Sequence, residues 1–487
     1  MSFSVIRVLA YVLAIVGTSL ALPFAAALVW DGLRPTLAFG VPMVVSWLAA
    51  LTCGLTGRHA GVRPLGVRNA FMTVGGVWIA IGVFGALPFY FSGAYPSFVD
   101  ALFESVSGFT TTGATVAPDV EVLPRCVNLW RCQTHWLGGM GVIALAVALI
   151  PLLGVGGFRM IKAETTGPEK GKVTARISST AKVLWAVYFG LTLLQAVLLH
   201  AYGMGWFDAV CHAFSTLGTG GFSTRNASVG AFSSPPIEWI CTGFMLLASV
   251  NFALYYQLFR GRFGDVFRDS ELRTFVGIVL VAIWVTTAVQ SAGYSSMSEA
   301  LRYSAFQVSS ILSTTGFMTA DYVGWRPSAQ LVLFVLFFVG GCSGSTAGGV
   351  KVIRWTVLWK QLENEFRRIL HPHGVFTMRI NGLAGRGEFV PLVASFLFVY
   401  LLLVLLTSFA GTLAGLDLVT AFTGALSMVG NVGPAFGALG PTENCGALHP
   451  VLKCWYAFAM LAGRLEIYTL LILLGGLFHR RVPSRGV

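Results

Sequence analysis

Long apolar segments alternate with short half-polar segments along this chain of 487 residues. Most of the apolar segments contain the roughly 20 residues that a helix needs to cross a bilayer. Because a second apolar segment follows the first directly, we interpret the first as an anchor helix rather than a cleaved signal peptide. The pattern predicts ten spans, at residues 5–30, 36–56, 70–95, 127–156, 181–203, 237–260, 273–293, 327–357, 388–413 and 450–478.

Four shorter segments each lie between two predicted spans and are too short to cross a bilayer: residues 98–112, 206–220, 298–315 and 417–432. Each ends in glycine together with threonine or asparagine. This pattern is typical of a re-entrant hairpin, in which a short helix enters the membrane and a non-helical strand returns. Such a strand is tolerated at membrane depth only where it is buried in protein or lines a water-filled cavity.

The predicted fold is therefore an all-α polytopic membrane protein. It has an N-terminal helix pair and four helix–re-entrant loop–helix repeats around one pore. The expected divisions are a helix pair at 1–69, then pore repeats at 70–180, 181–272, 273–387 and 388–487.

Composition and charge support a membrane protein that handles cations. Only 11% of the residues are charged and 55% are hydrophobic, whereas about 25% of a soluble domain is charged. If the N-terminus is cytoplasmic, most of the 32 Lys and Arg residues fall on the inner side, as expected for a bacterial inner membrane protein. We therefore attribute the net charge of +12 to basic residues that orient the chain in the membrane. We expect no nucleic-acid partner. Acids outnumber basic residues on the outer side, which favours a cationic substrate.

The four re-entrant segments share a pattern when they are aligned on one glycine each. A serine stands six residues before each glycine and a bulky apolar residue four before it. The aligned glycines are Gly113, Gly221, Gly316 and Gly433; the serines are Ser107, Ser215, Ser310 and Ser427. Polar helix–helix packing through small residues explains single Gly/Ser clusters, but not their recurrence in four equivalent units.

This pattern suits a potassium filter, which replaces the water shell of the ion with rings of backbone carbonyls. Glycine permits the unusual dihedral angles that such a strand needs, and the pore helix directs its C-terminal dipole at the cation. We predict that potassium binds at Thr111, Thr112, Gly113, Thr219, Gly220, Gly221, Thr314, Thr315, Gly316, Asn431, Val432 and Gly433.

A glycine-rich segment interrupts the second span of the third repeat. At roughly 1 kcal/mol per helical glycine, this run does not hold a straight helix, so we expect a loop at membrane depth below the filter. Its residues are Gly340, Gly341, Cys342, Ser343, Gly344, Ser345, Thr346, Ala347, Gly348 and Gly349. A phosphate-binding loop fits poorly, because Lys351 is offset by one residue and no Ser or Thr follows it.

Arg464 is expected in the middle of the last span, where an ionisable residue is costly and usually functional. Glu466 is two residues away and should point to the opposite side of the helix, so the two do not form a simple local pair. We expect Arg464 to project toward the pore under the glycine-rich segment, where it can bond loop carbonyls and repel cations.

Several long motifs resemble the Trk/Ktr/HKT superfamily of potassium transporters, and most closely its TrkH-type subunit. They are Ser107–Thr115, Thr219–Thr224, Thr314–Phe317, Asn431–Pro434, Trp136–Gly141, Gly340–Gly349 and Gly463–Glu466. The resemblance covers essentially the whole chain. It implies potassium uptake, a gating role for the glycine-rich segment, a homodimer in the lipid membrane, and a cytosolic TrkA-like nucleotide-binding regulatory subunit.

The resulting hypothesis is a potassium uptake channel or transporter, without catalysis and without a cofactor of its own. Rubidium and, weakly, sodium are the other ions we expect to pass. A proton- or sodium-coupled potassium symporter is the alternative, with the Arg464/Glu466 region as its candidate relay. His135 and His212 are interpreted as structural, and the eight cysteines as free rather than paired in outer loops.

Overall fold

A computed structural model of the chain describes residues 3–57, 67–153, 170–374, 376, 379–381, 383–384, 389–467 and 469. Two two-residue strands, β1 (Arg379–Ile380) and β2 (Leu383–Ala384), pair in antiparallel fashion. All other regular structure in these residues is helical. The α-helices are α1 Phe3–Ser19, α2 Ala21–Ala26, α3 Leu33–Gly57, α4 Val67–Phe91, α5 Phe98–Phe109, α6 Arg125–Leu153, α7 Lys170–Ala201, α8 Trp206–Gly218, α9 Pro235–Ala248, α10 Phe252–Phe259, α11 Phe263–Arg268, α12 Ser270–Gln290, α13 Met297–Leu312, α14 Pro327–Leu336, α15 Val352–Leu370, α16 Phe389–Leu413, α17 Leu418–Gly430 and α18 Pro450–Arg464.

The all-helical membrane fold predicted from the sequence is confirmed. Within the described residues, six helical segments are long and apolar enough to cross a membrane. They correspond to six of the ten predicted spans, and they lie at Ile6–Asp31, Leu33–Gly57, Phe71–Phe91, Ala181–Ala201, Ser270–Gly293 and Phe389–Leu413.

Three other predicted spans are not continuous helices. The segment 237–260 is bent by 92° between α9 and α10, where the Asn251 side chain caps the second helix by accepting from the Ala253 N–H. The segment 327–357 is helical only up to Leu336 and again from Val352. The segment 450–478 leaves the helix after Arg464, because Glu466 and Ile467 both adopt φ 55°. A run of apolar residues indicates burial in lipid or protein. It does not by itself distinguish a continuous spanning helix from a broken one.

Each of the four short pore helices packs between the two spans of its own repeat. The pore helix α5 contacts α4 and α6, and the same arrangement recurs for α8, α13 and α17. Neighbouring repeats also touch in sequence order: α6 packs on α8, α9 packs on α13, α15 packs on α16, and α18 closes the circuit on α5. The four repeats therefore surround one axis, as the sequence predicts.

The starts of three pore helices follow from local capping. Ser97 accepts from the Asp100 N–H and Ser296 from the Glu299 N–H, while Asp417 caps α17 through the Thr420 N–H. Such caps satisfy backbone donors that a helix cannot pair internally, and each is worth about 1 kcal/mol. They fix where these three pore helices begin.

Candidate functional site

The four pore helices end in the same backbone conformation. The residue two positions before each aligned glycine is left-handed, with φ of 54° or 55°, although none of the four is glycine. The glycine itself also has positive φ, between 78° and 100°. The left-handed residues are Thr111, Thr219, Thr314 and Asn431. Because this conformation is rare for β-branched residues, its occurrence at three threonines and at the equivalent asparagine indicates a shared structural requirement.

The serine that recurs in the sequence pattern holds this turn. Its backbone carbonyl accepts the N–H of the residue just before the glycine, at 2.9, 2.8, 2.9 and 2.9 Å in repeats one to four. In the first and third repeats its side chain also donates to the carbonyl just after the glycine. These bonds are Ser107 Oγ to Ala114 O at 2.6 Å and Ser310 Oγ to Phe317 O at 2.5 Å. The helix end and the returning strand, which we call the filter strand, are thus fixed locally.

The four filter strands contact one another in a closed circuit. A Cβ built on Gly113 would lie 1.8 Å from Gly220 O in the second repeat, and one on Gly221 would lie 2.1 Å from Thr315 O in the third. On Gly316 it would lie 2.2 Å from Val432 O, and on Gly433 it would lie 2.4 Å from Thr112 O, back in the first repeat. Each glycine therefore faces the carbonyl oxygen of the next repeat, and four such oxygens stand at one level.

A cavity of about 130 Å³ opens above this circuit, and all four glycines line it. Its wall continues through outer-loop residues, among them Asn226 and Glu443. In that outer loop the Asn226 side chain donates to Asp119 at 2.7 Å, and with the N–H of Glu121 it lowers the pKa of Asp119 below its ordinary value. The carboxylate stays ionised, which helps to keep this outer side attractive to cations.

Some outer charges that the sequence counts as surface charges are buried ion pairs. Glu104 is fully buried in the middle of α5, so it does not contribute to the surface charge of this side. Arg131 Nε lies 2.7 Å from Glu104 Oε1, and the same carboxylate accepts from the Val116 N–H at 3.0 Å. Glu104 thus ties the pore helix to the segment beyond the filter strand. A second buried pair joins Lys453 Nζ to Asp100 Oδ1 at 2.6 Å.

The segment Gly340–Gly349, the glycine-rich loop, lies directly against the inner end of the filter. Two bonds close its neck, Gly340 N to Val350 O at 2.9 Å and Val352 N to Gly341 O at 3.2 Å. Beside this neck the Gly348 N–H donates to Thr314 Oγ1 at 2.6 Å. A Cβ on Gly348 would lie 2.5 Å from Gly430 O, which shows how closely the loop approaches the fourth repeat.

Arg464 reaches this loop from the end of α18, rather than from the middle of a helix as the sequence suggests. Its Nη1 donates to Thr346 O at 2.8 Å, and the side chain is 5% exposed. Its Nε and Nη2 atoms have no hydrogen-bond partner among the described residues. Glu466 lies beyond the end of the helix with φ 55° and pairs with Arg354 at 2.6 Å, so it does not pair with Arg464. Among the residues that the structure describes, no carboxylate pairs with this guanidinium, which lies under the filter.

Sequence reasoning missed two further ionisable side chains at the loop. One carboxylate oxygen of Glu271 accepts from the Ser343 N–H at 2.6 Å and from the Ile353 N–H at 3.1 Å, which joins the loop to the start of α15. Lys351 is buried and its Nζ donates to Ala347 O. Glu271 stands at the start of a span, where an acid is unremarkable, and no sequence signal links it to a segment about 70 residues away.

The histidines and cysteines are placed as structural groups. His135 Nδ1 lies 2.8 Å from Gly108 O and its Nε2 lies 3.2 Å from Phe222 N, so the ring joins the first two repeats. His212 lies 3.0 Å from Ser223 Oγ and holds the second filter strand in the same way. All eight cysteines lie in described residues, and none of them forms a disulfide.

Comparison with known proteins identifies close relatives along the whole chain. The sequence model of the TrkH family, described as a cation transport protein, matches residues 44–477. The Trk system potassium uptake protein TrkH of Halomonas elongata is 38% identical over 98% of this chain and 99% of its own length. That of Escherichia coli K12 is 38% identical over 85% and 86%. The crystal structure of the potassium transporter TrkH from Vibrio parahaemolyticus superposes with a TM-score of 0.88 at 35% identity, over 98% of this chain and 99% of that one.

Proposed function

The chain belongs to the TrkH family of cation transport proteins, and on that premise we propose that it takes up potassium through the four filter strands. Ion-binding carbonyls are contributed by the three residues Thr111–Gly113 and their equivalents in the other repeats. Uptake runs from the outer cavity to the cytosol of a bacterial cell, across the inner membrane.

The observation that carries this proposal is the closed circuit of glycines and carbonyls. Four backbone oxygens at one level replace a hydration shell only if four strands approach one axis at equal depth. The circuit Gly113, Gly221, Gly316, Gly433 supplies that arrangement from one chain. No side-chain charge is needed at the filter, because the ion is coordinated by dipoles.

The glycine-rich loop acts as the gate. It occupies the space beneath the filter strands, touching Thr314 and Gly430. Arg464 holds it there through Thr346 O, and its unpaired donors add a positive potential on the ion path. A cation that leaves the filter meets both an obstruction and a repelling charge, so conduction requires the loop to move aside.

Regulation comes from a partner on the cytosolic side, where α15 and the β1–β2 hairpin carry basic residues. The proposed partner is a TrkA-like nucleotide-binding subunit, bound to a homodimer in which each protomer has its own pore. The N-terminus is cytoplasmic, as the distribution of Lys and Arg indicates. The divisions at 69, 180, 272 and 387 are kept as the proposed domain boundaries.

Flux measurements on the purified chain in liposomes test the proposal. Potassium and rubidium should pass readily and sodium weakly, with flux that continues when pH and sodium gradients are absent. A flux that stops without a proton or sodium gradient would instead establish the coupled symporter. Equal passage of all three ions would contradict a selective filter.

A further inference from the structure

The four left-handed residues at the inner end of the filter occupy equivalent positions but make different contacts. Thr219 Oγ1 donates to the carbonyl of its own neighbour, Gly218, at 2.6 Å. Thr111 Oγ1 has no hydrogen-bond partner among the described residues. Thr314 Oγ1, in contrast, accepts the Gly348 N–H of the glycine-rich loop at 2.6 Å.

The Thr314–Gly348 bond joins two parts of the chain 34 residues apart, and both partners are buried or nearly so. A buried backbone N–H that loses its partner is costly, so the loop gains stability in this position from the hydroxyl. The filter holds the backbone of Thr314 at φ 54°. The hydroxyl is therefore an acceptor in a fixed position.

We infer that Thr314 is a positioning residue that couples the filter to the gate, a role that its equivalents in the other repeats do not share. This inference rests on the proposed function of the glycine-rich loop. When the loop is in place, it holds the inner end of the third filter strand through Gly348. When the loop leaves, that strand loses its support, so the geometry of the filter and the position of the loop depend on each other.

The contacts of the fourth repeat explain why the third repeat, and not the fourth, couples the filter to the glycine-rich loop. Asn431 stands at the equivalent position, but its Nδ2 donates to Thr112 Oγ1 at 3.0 Å and to Met460 O at 2.9 Å. Asn431 packs against Gly348, but its amide hydrogen bonds go to a filter strand and to α18 rather than to the loop. Of the four equivalent residues, only Thr314 places a hydroxyl where the loop ends and accepts the Gly348 N–H.

Thr314→Val tests the inference, with Thr219→Val as its matched control. Both changes keep a β-branched side chain at a left-handed position and remove one hydroxyl from equivalent places in the filter. The readout is the rate at which N-ethylmaleimide modifies Cys342 in the loop, which is 1% exposed, quantified by mass spectrometry against the exposed Cys454 of the same chain. The full-length protein is used without its partner.

We expect Thr314→Val to raise the Cys342/Cys454 ratio by about 2- to 10-fold, the factor that one hydrogen bond supplies, and to raise partner-free potassium flux. Thr219→Val should leave the ratio as in the wild type, and Thr314→Ser, which keeps a hydroxyl, should bring it back toward that value. Equal ratios for the two valine variants, or an unchanged ratio in Thr314→Val, would overturn the coupling. A wild-type chain that carries no potassium would instead overturn the proposed function, and the cysteine ratio would still report the bond.

Discussion

The filter and the glycine-rich loop are both non-helical, glycine-containing segments inside the membrane, yet they are held in different ways. Each filter strand is fixed by its own pore helix, through a bond that recurs four times at 2.8–2.9 Å. The loop is held by different contacts with distant elements: residues 248–252 at the α9–α10 junction, Glu271 on α12, Thr314 in the filter and Arg464 on α18.

From this difference we infer that the filter strands are rigid and that the glycine-rich loop can move. A strand held by local, repeated bonds keeps its geometry when neighbouring elements shift, as an ion-coordinating ring requires. A loop held by separate long-range contacts can be released when a few of them break together. Segments with few and scattered contacts open at lower free energy than the core around them.

The largest expected effect comes from adding side chains to the filter. Replacing Gly113, Gly221, Gly316 or Gly433 by serine places a Cβ within 1.8–2.4 Å of a backbone oxygen in the next repeat. Overpacking costs about 1–3 kcal/mol, and at these positions it falls on the ring itself. Potassium-limited growth of an uptake-deficient host should be lost in all four variants.

Gly243→Ser on α9 is the matched control for the filter variants, because a Cβ there meets nothing within 4 Å. Growth with this variant should equal that of the wild type. Normal growth with all four filter variants would refute the carbonyl ring, whatever the behaviour of the control.

The same contrast explains which parts of the site could be predicted from the sequence. The filter was predictable because its serine, apolar and glycine positions occur four times, and a pattern that recurs in equivalent units stands out from chance. The partners of the loop occur once each and are brought together only by the fold. Glu271 and Lys351 were therefore missed, and the burial of Glu104 was not predicted, since spacing along the chain does not reveal burial.

A second effect should appear when the loop is shortened or released. Deleting Ser343–Ala347 removes the obstruction while keeping the neck bond between Gly340 and Val350. Arg464→Ala removes a charged hydrogen bond worth about 1.5–3 kcal/mol, or roughly a tenfold or larger change in the closed population. Both variants should raise partner-free potassium flux into liposomes with the filter intact.

The two changes should be non-additive, because they disable one contact from its two sides. The double variant should therefore conduct about as well as the deletion alone. A well-folded Arg464→Ala protein with unchanged or reduced flux would show that this side chain only holds helices together.

A smaller effect is expected for Glu271→Gln. The carboxylate accepts two backbone N–H groups at the loop and at α15, and the neutral amide is a weaker acceptor. Partner-free flux should rise by a few-fold, less than with Arg464→Ala. Glu363→Gln, on the exposed part of α15, is the control and should not change flux without a partner. An effect of equal size in both variants would show that Glu271 has no specific role in holding the gate closed.

The smallest effect concerns the surface proposed to face the cytosol, where Arg367 and Arg368 lie in the last turn of α15. Each is paired on its own helix, with Glu363 and Glu365, so less positive charge is available to a partner than the sequence suggests. Reversing both to glutamate should weaken co-purification of the regulatory subunit only a few-fold, since exposed pairs contribute about 0–1 kcal/mol. The effect should fade at high salt.

A charge swap sharpens this last experiment. Arg367→Glu combined with Glu363→Arg keeps the net charge of α15 and moves the positive group by one helical turn. If the partner responds to the overall field, the swap should bind like the wild type while the double reversal does not. If instead the swap binds as poorly as the reversal, recognition depends on the position of Arg367 itself. Unchanged binding in every variant would leave these residues with a topological role alone, because basic residues concentrate on the cytosolic side in any case.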